Sequence, residues 1–414
     1  MFTRVFYLAR YSLIVMSASS DPLFWYDQDV EFDDPYTVKE WYKLGYLEDQ
    51  NAEPNDMTHP IHPIMDIPNW TLPFTRHDRE LIEPALRLAS ALLNCPASVT
   101  FFDAVQFGQR NLIPALTLTN YKSLTALAGP TRYRADLHDD LDQRLIDLVP
   151  HVKFAWGEHA DEQWEFEKMP YAYTDETNVE INNEGRGSKI TMNDSFLEDL
   201  RELDSLDASP KTINQTLRLQ FLMAVTVCHE LVHATNNSIL WHEEIPEPYF
   251  RDQALNELGL AWEEEVFGGA IVNVQDHIWA SNDCQWPLFF THFPCPQDYR
   301  MCQLELDIDQ QDVFARRYAK RTYTNYYVPM AWLVQLHKQA NWKRWALATD
   351  TKMFRIPRRV GVQFNNNEFP IDTSWSPSKS SEGDWPGDEQ GKVFRVKRGG
   401  PRRVGIRDSD KLGN

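Results

Sequence analysis

Apolar residues recur at helical spacing in several separate stretches of this 414-residue chain. Positions three and four apart share one face of a helix, so these stretches predict helices over about residues 77–94, 139–149, 213–236, 251–267 and 329–342. The apolar residues of the helix at 213–236 have mixed three- and four-residue spacing, and we expect this helix to bury one face. Gly268-Gly269 is expected to end the helix that precedes it.

Two shorter stretches between these helices predict strands, over residues 151–156 and 189–193. Ser195 and Glu198 follow the second strand and have the spacing of a capping box. This spacing predicts that a short helix begins at Ser195.

Composition divides the chain into three parts. Residues 1–75 form the first part; over 21–75 they are rich in Asp, Pro, Trp and Tyr with little periodicity, and they predict an extended arm that wraps the body. Residues 76–372 carry the predicted helices and strands and form the body. Residues 373–414 are rich in Ser, Gly, Pro and charge, with seven basic residues between 392 and 407, and they predict a disordered basic tail.

Charge and cysteine usage exclude some classes of function. The formal net charge of −20 argues against nucleic-acid binding as the main role. No run of 18 apolar residues occurs, so no membrane-spanning helix is expected. Arg10 divides the apolar stretch of the first 20 residues, which favours a cytoplasmic location over a secreted one. The five cysteines show no CxxC spacing, which argues against a zinc site built from cysteine.

The segment His229-Glu230-Leu231-Val232-His233 is the strongest chemical signal in the chain. On a helix its two histidines lie one turn apart on the same face, where both imidazoles can bind one zinc ion. Glu230 follows the first histidine and is placed to act as general base toward a water molecule that the metal activates. The sequence therefore predicts a catalytic zinc site with His229 and His233 as ligands.

The third ligand has to come from another part of the chain. The short metzincin spacing would need Gly at 236 and His at 239, but the chain has Asn236 and Ile239. Glu257 lies 24 residues beyond His233, in the next predicted helix, and would complete a His₂Glu site. Other carboxylates stay open as ligands or as groups that orient a ligand histidine: Glu263 and Glu264 foremost, then Glu265, Glu243, Glu244 and Asp252.

The motif at 229–233, together with Asn256-Glu257 and a following Gly259-x-Ala261, resembles the gluzincin group of zinc metallopeptidases. The longer pattern that ends in Phe267-Gly268-Gly269 is similar to fungal proteins of the HExxH type. The resemblance covers about residues 185–275. It implies Glu257 as third ligand and a zincin-like α+β fold, in which a small mixed sheet packs on the active-site helix before a mainly helical part.

The resemblance also implies two features that the sequence does not assign uniquely. An edge strand beside the active-site helix would bind the substrate backbone, and residues 190–193 are the candidate, with an ordinary sheet strand as the alternative. A side chain should stabilise the negative charge of the tetrahedral intermediate. The candidates are Tyr323, Tyr326, Tyr327 and His337.

These observations predict a zinc-dependent hydrolase, a metallopeptidase acting on a peptide or protein substrate. The alternatives are a zinc-binding scaffold without activity, and hydrolysis of a non-peptide amide or ester by the same water. Glu230 favours catalysis, because a scaffold has no need of a base beside the metal ligand.

Overall fold

The computed structural model describes residues 45, 48–71, 75–112, 125–127, 136–157, 171–181, 185–239, 247–251, 257–273, 288–291, 322–345, 349–358, 360–365, 392–396 and 405–407. Helices and strands both contribute, so the fold is of the mixed α+β kind. The buried apolar side chains of these residues form one continuous core.

Eight α-helices occur in the described residues. In chain order they are α1 (Arg76–Leu93), α2 (Pro96–Phe107), α3 (Asp136–Leu148), α4 (Ser195–Ser205), α5 (Pro210–Ile239), α6 (Leu258–Phe267), α7 (Met330–Leu336) and α8 (Gln339–Trp345). The predicted helices at 77–94, 139–149 and 213–236 correspond to α1, α3 and α5 within a few residues.

The strands form three sheets. In chain order they are β1 (Arg110–Leu112), β2 (Thr125–Leu127), β3 (Val152–Gly157), β4 (Ala172–Ile181), β5 (Gly185–Asn193), β6 (Tyr249–Phe250), β7 (Ala270–Asn273), β8 (Leu288–Thr291), β9 (Thr322–Tyr327), β10 (Val360–Asn365), β11 (Lys392–Val396) and β12 (Gly405–Arg407). The sheet orders are β1-β2-β6, β3-β5-β4 and β12-β11-β10-β9-β8-β7. The sheet β3-β5-β4 is mixed, because β3 runs parallel and β4 antiparallel to β5.

Helix α5 is the centre of the molecule. Strands β4 and β5 cover one side of it, and α1, α2, α4, α6 and α7 pack around the rest. α5 is therefore buried on more than the one face that its apolar spacing predicted. Polar side chains such as Asn214, Gln220 and Asn236 are buried along it as well. The expected packing of a small mixed sheet on this helix is confirmed. The mainly helical part expected after it is not what the described residues show, because a six-stranded sheet accompanies α6, α7 and α8 there.

The described part of the predicted arm, residues 48–71, lies against the body. Asn214 of α5 bonds the backbone of Asp49 in both directions, and the Asn55 side chain donates to Gln220. His62 begins a short 3₁₀ turn and its imidazole accepts a hydrogen bond from the Ile64 amide. Residues 1–44 of the arm lie outside the described residues.

Several predicted helix boundaries differ from the structure. The helix predicted from residue 251 begins only at Leu258, as α6. Arg251 has a left-handed backbone conformation, and residues 252–256 lie outside the described ranges. The capping box predicted at Ser195 is wrong: Asp194 is the N-cap residue, and the Ser195 amide donates to the Asn193 side chain. A capping box occurs instead at Thr75 and Asp78, before α1.

The predicted helix over 329–342 is two shorter helices, α7 and α8. His337 ends α7, with its amide bonded to the carbonyls of Leu333 and Val334. The Asn341 side chain then donates to the backbone carbonyl of Gln335 and links the two helices. The predicted end of α6 is confirmed, because Gly268 adopts a φ of 80° and its amide caps the Glu264 carbonyl.

Two segments of the predicted disordered tail are strands. β11 pairs in parallel with β10, and β12 pairs antiparallel with β11. The prediction of disorder therefore fails for these two segments. The rest of residues 373–414 lies outside the described residues.

No single helix in the described ranges is long and apolar enough to cross a membrane. Helices α1 and α2 together have the length and composition of a membrane span, but they are bent by 70° relative to each other. Both helices contribute many fully buried residues to the core. Cys228 is a buried free thiol, and its Sγ donates to the Ala89 carbonyl. Cys284, Cys295 and Cys302 lie outside the described residues.

Candidate metal centre

Helix α5 presents two histidines at the point where α6 crosses it. His229 and His233 are one turn apart, and their ring centroids are 5.1 Å apart. The side chain of His229 keeps 14% of its surface exposed, against 7% for His233. The pair is therefore mostly enclosed and reaches solvent mainly through His229.

Glu257 joins the two histidines from the N-cap position of α6. Its Oε1 is 3.3 Å from Nε2 of His229 and 2.8 Å from Nε2 of His233. Its Oε2 accepts a hydrogen bond from the Leu260 amide, which fixes the carboxylate at the helix terminus. The structure thus brings together the three residues that the sequence predicted as ligands.

These three side chains form a group that could hold a metal ion, with one ligand atom from each lying within 4.8 Å of the others. Two atoms bound to one tetrahedral zinc at about 2.0–2.1 Å are about 3.3 Å apart, which is near the separations seen here. His233 Nε2 and Glu257 Oε1 are buried 2.8 Å apart, and neither atom has a hydrogen-bond partner outside the three-residue group among the described residues. Buried polar atoms without partners are costly, and an ion between them would satisfy both.

A second carboxylate orients each imidazole from its other nitrogen. Glu263 Oε1 lies 2.7 Å from Nδ1 of His229, and its Oε2 accepts a hydrogen bond from the Ile271 amide. Glu247 Oε1 lies 2.7 Å from Nδ1 of His233. Such carboxylate–histidine pairs fix the ring so that Nε2 points at the metal.

The imidazoles and the carboxylates of this cluster shift each other's pKa values. Burial alone would lower the pKa of His233, but Glu247 and Glu257 raise it to about 10. Burial likewise opposes the charge of His229, and Glu257 with Glu263 raises its pKa well above the usual value. Burial would raise the pKa of Glu257, yet both imidazoles hold it far below its usual range. The two imidazoles therefore favour the charged form of Glu257, whereas burial raises the pKa of Glu263.

Glycine is required where α6 approaches His229. A Cβ on Gly259 would overlap both Cδ2 and Nε2 of the His229 ring. Real Cβ atoms do not approach other atoms so closely, so a larger residue would push the ring or the helix away. The close packing of α6 on α5 at this point sets the position of Nε2.

Glu230 is buried beneath strand β4. Its Oε2 accepts a hydrogen bond of 2.7 Å from the hydroxyl of Thr174, and the same hydroxyl lies 3.2 Å from the Glu230 backbone oxygen. Only 3% of Glu230 is exposed. The predicted base is therefore enclosed between the helix that carries it and the sheet.

The strand next to the candidate site is β4, and the prediction of residues 190–193 as the edge strand is wrong. Those residues belong to β5, which is paired on both sides, by β3 and by β4. Among the described residues β4 is paired on one side only. Order within a sheet depends on pairing between distant segments, which the local pattern of 190–193 does not contain.

The other acidic candidates have different positions. Glu264 is buried in α6, but it is not part of the three-residue group. Glu265 pairs with Arg251 at 2.8 Å. Glu243, Glu244 and Asp252 lie outside the described residues.

The candidates for stabilising the intermediate lie in β9 and at the end of α7. Tyr327 is almost completely buried, and Tyr326 packs on Phe290 and lies under the guanidinium of Arg358. His337 is fully buried, its Nδ1 bonds the Leu333 carbonyl, and burial lowers its pKa to about 4. Both Tyr327 and His337 are thus enclosed in the core. The side chain of Tyr323 lies outside the described residues.

Three residues near the site were not predicted. The sequence offered one hint for Glu247, which is a carboxylate between Pro246 and Pro248 shortly after the motif. Thr174 and Arg110 gave no signal, because they precede the motif by 55 and 119 residues. Arg110 donates to Asn236, one turn beyond His233, and the charge of Glu247 acts on its guanidinium.

The described residues thus bring together two histidines of the central helix α5 and a glutamate at the N-cap of α6, and the buried Glu230 follows the first histidine in the chain. Carboxylates back both imidazoles, and the donor set is one that zinc uses in proteins. Comparison with known proteins adds no relative: no protein-family model, no curated protein and no solved structure matches this chain.

Proposed function

We propose that this protein is a zinc-dependent hydrolase of the metallopeptidase kind. The observation that carries the proposal is the convergence of His229 Nε2, His233 Nε2 and Glu257 Oε1 on one point. Two of these buried atoms have no other partner among the described residues. The donor set suits zinc, which supplies Lewis-acid chemistry when it is bound: it polarises a carbonyl group and makes water more acidic.

Glu230 is the residue to which we assign proton transfer. It follows the ligand His229 directly in the chain, and its carboxylate is buried at the face of α5 that β4 covers. From there it takes the proton of the attacking water and returns it to the leaving amine. Glu263 and Glu247 act on the histidine rings, which they hold in one orientation.

Strand β4 supports a peptide as the substrate. It passes over Glu230, and within the described residues its outer edge is not paired with another strand. An extended peptide can add to such an edge through backbone hydrogen bonds. This arrangement, with a small mixed sheet on the motif helix, agrees with a zincin-like fold and favours peptide bonds over small esters.

The experiment compares metal content and turnover in three variants. We expect the parent protein and Glu230→Gln to hold one zinc each, and Glu257→Ala to lose it. With a peptide library read by mass spectrometry, Glu230→Gln should lower turnover by about 10²–10⁴-fold, the usual contribution of a general base. Chelation should abolish the cleavage, and zinc should restore it.

Glu265→Gln is the matched control, because it changes an acid of α6 that pairs with Arg251 outside the cluster. It should keep both the metal and the activity. Full turnover in Glu230→Gln would show that Glu230 is not the base. Zinc binding without cleavage of any peptide by the parent protein would favour the scaffold instead.

A further inference from the structure

The side chain of Thr174 makes a hydrogen bond to the proposed base. It lies in β4 opposite Ile190 of β5, and Ile190 is completely buried. Side chains directly opposite in neighbouring strands point to the same face of a sheet. Both residues therefore face α5, and the Thr174 hydroxyl meets Glu230.

The geometry of this contact is that of a strong hydrogen bond. An O–H group that donates to a carboxylate does so at about 2.5–2.7 Å, and the Thr174 Oγ1 to Glu230 Oε2 distance is 2.7 Å. The alternative acceptor, the Glu230 backbone oxygen, is farther away at 3.2 Å and uncharged. The single hydroxyl hydrogen of threonine therefore goes to the carboxylate.

This bond selects one orientation of a side chain that could otherwise turn. Glutamate has three side-chain torsions, whereas threonine is branched at Cβ and stiff. With Oε2 engaged by Thr174, Oε1 has no hydrogen-bond partner among the described residues. One oxygen is thus held by the sheet and the other is left for water.

We propose that Thr174 is a positioning residue, whose hydroxyl holds the Glu230 carboxylate in the orientation from which Glu230 takes a proton. The inference rests on the proposed function, because it assigns Thr174 a role through that base. It also gives β4 a second role, because the strand that would bind the substrate also fixes the catalytic group. Register between substrate and base would then be set by one element.

The test uses Thr174→Val, which keeps the shape and removes the donor, and Thr174→Ser, which keeps the donor. In crystals of the zinc-loaded variants, we expect the Glu230 carboxylate to leave its position in Thr174→Val and to keep it in Thr174→Ser. On one peptide that the parent protein cleaves, kcat of Thr174→Val should fall about 10–100-fold, the usual effect of losing a hydrogen bond to a charged group. KM should change by less than about threefold, and Thr174→Ser should recover most of kcat.

Thr226→Val is the control, because the Thr226 hydroxyl donates to the Leu222 carbonyl of its own helix. It should leave kcat and the Glu230 conformation unchanged. An unmoved carboxylate with full kcat in Thr174→Val would overturn the proposal, as would a rise in KM alone, which would make Thr174 a substrate contact. If the parent protein cleaves no peptide, the proposed function fails, and the crystal comparison alone then decides whether Thr174 positions Glu230.

Discussion

At the scale of single residues, the candidate site is a set of buried acids arranged around two imidazoles. Glu257 faces both rings, and Glu263 and Glu247 each hold one ring from behind. The sequence predicted the two histidines and Glu257 because the spacing of HExxH is local and a carboxylate was expected as third ligand in the next helix. The sequence did not show which of Glu263 and Glu264 contacts His229, because neighbouring residues of a helix differ only in the direction in which their side chains point.

Asp199 shows the cost of an acid without such a partner. It lies on the apolar face of α4 with Phe196, Leu200 and Leu203, and only 8% of it is exposed. Burial, together with the charges of Glu202 and Glu198, raises its pKa to about 7. An aspartate in the unfolded chain titrates near 3.9. Between these two values the folded protein binds more protons than the unfolded chain, so stability falls as pH rises from about 4 to 7.

We therefore expect Asp199→Asn to stabilise the protein at pH 8 and to have little effect near pH 4. The gain should be about 1–2 kcal/mol after allowance for solvent screening of a group that is not fully enclosed. Urea unfolding at the two pH values measures it. The exposed Asp207→Asn is the control and should show no difference between them. An equal effect of Asp199→Asn at both pH values would contradict the assigned titration.

At the scale of elements, the packing of α6 on α5 decides the geometry of the candidate site. The apolar pattern predicted both elements, and Gly268 marked the end of α6. The apolar pattern did not predict where α6 begins. It therefore did not show that Glu257 lies before the helix rather than inside it. It also did not show that β5 is an internal strand and β4 the strand over the motif, because pairing partners are chosen by tertiary contacts.

Gly259→Ala tests this packing. The new methyl group would overlap the His229 ring, so we expect Nε2 to shift and zinc affinity to fall at least tenfold. Overpacking of this kind should also lower the free energy of unfolding by about 1–3 kcal/mol. Competition with a chromogenic chelator measures the affinity, and urea unfolding the stability.

Gly268→Ala is the matched substitution in the same helix. Its φ of 80° disfavours alanine, but a Cβ there would meet nothing closer than 3.6 Å, on Arg355. It should therefore lose stability by about 1 kcal/mol and keep its zinc affinity. Equal affinities in the two variants would show that the Gly259 contact does not position His229.

At the scale of the whole molecule, the cluster joins parts of the chain that are far apart in sequence. α5 supplies the histidines, the N-cap position of α6 supplies Glu257, and the segment before β6 supplies Glu247. Glu263 comes from α6, and the Ile271 amide that it accepts from lies in β7. An ion bound there would link these parts only in the folded state, and a ligand that binds only the folded state stabilises it.

Metal removal should therefore lower the midpoint of thermal unfolding. With free zinc at about 1,000 times its Kd, the stabilisation would be about 4 kcal/mol, which is a shift of several degrees for a protein of this size. Differential scanning calorimetry with chelator and then with added zinc measures the shift. A His229→Ala/His233→Ala variant should show no response to zinc. The same response in that variant would place the ion elsewhere.

The sequence by itself determined what depends on near neighbours: the helix that carries HExxH, the shared face of His229 and His233, and the glycine that ends α6. These follow from backbone geometry within a few residues. The tertiary structure decided which distant groups meet them: Glu247 and Glu263 behind the rings, Thr174 on Glu230, and β4 over α5. It also placed segments 392–396 and 405–407 in a sheet although their composition predicted disorder. Such contacts depend on burial and on strand pairing between remote segments, and no local pattern of residues encodes them.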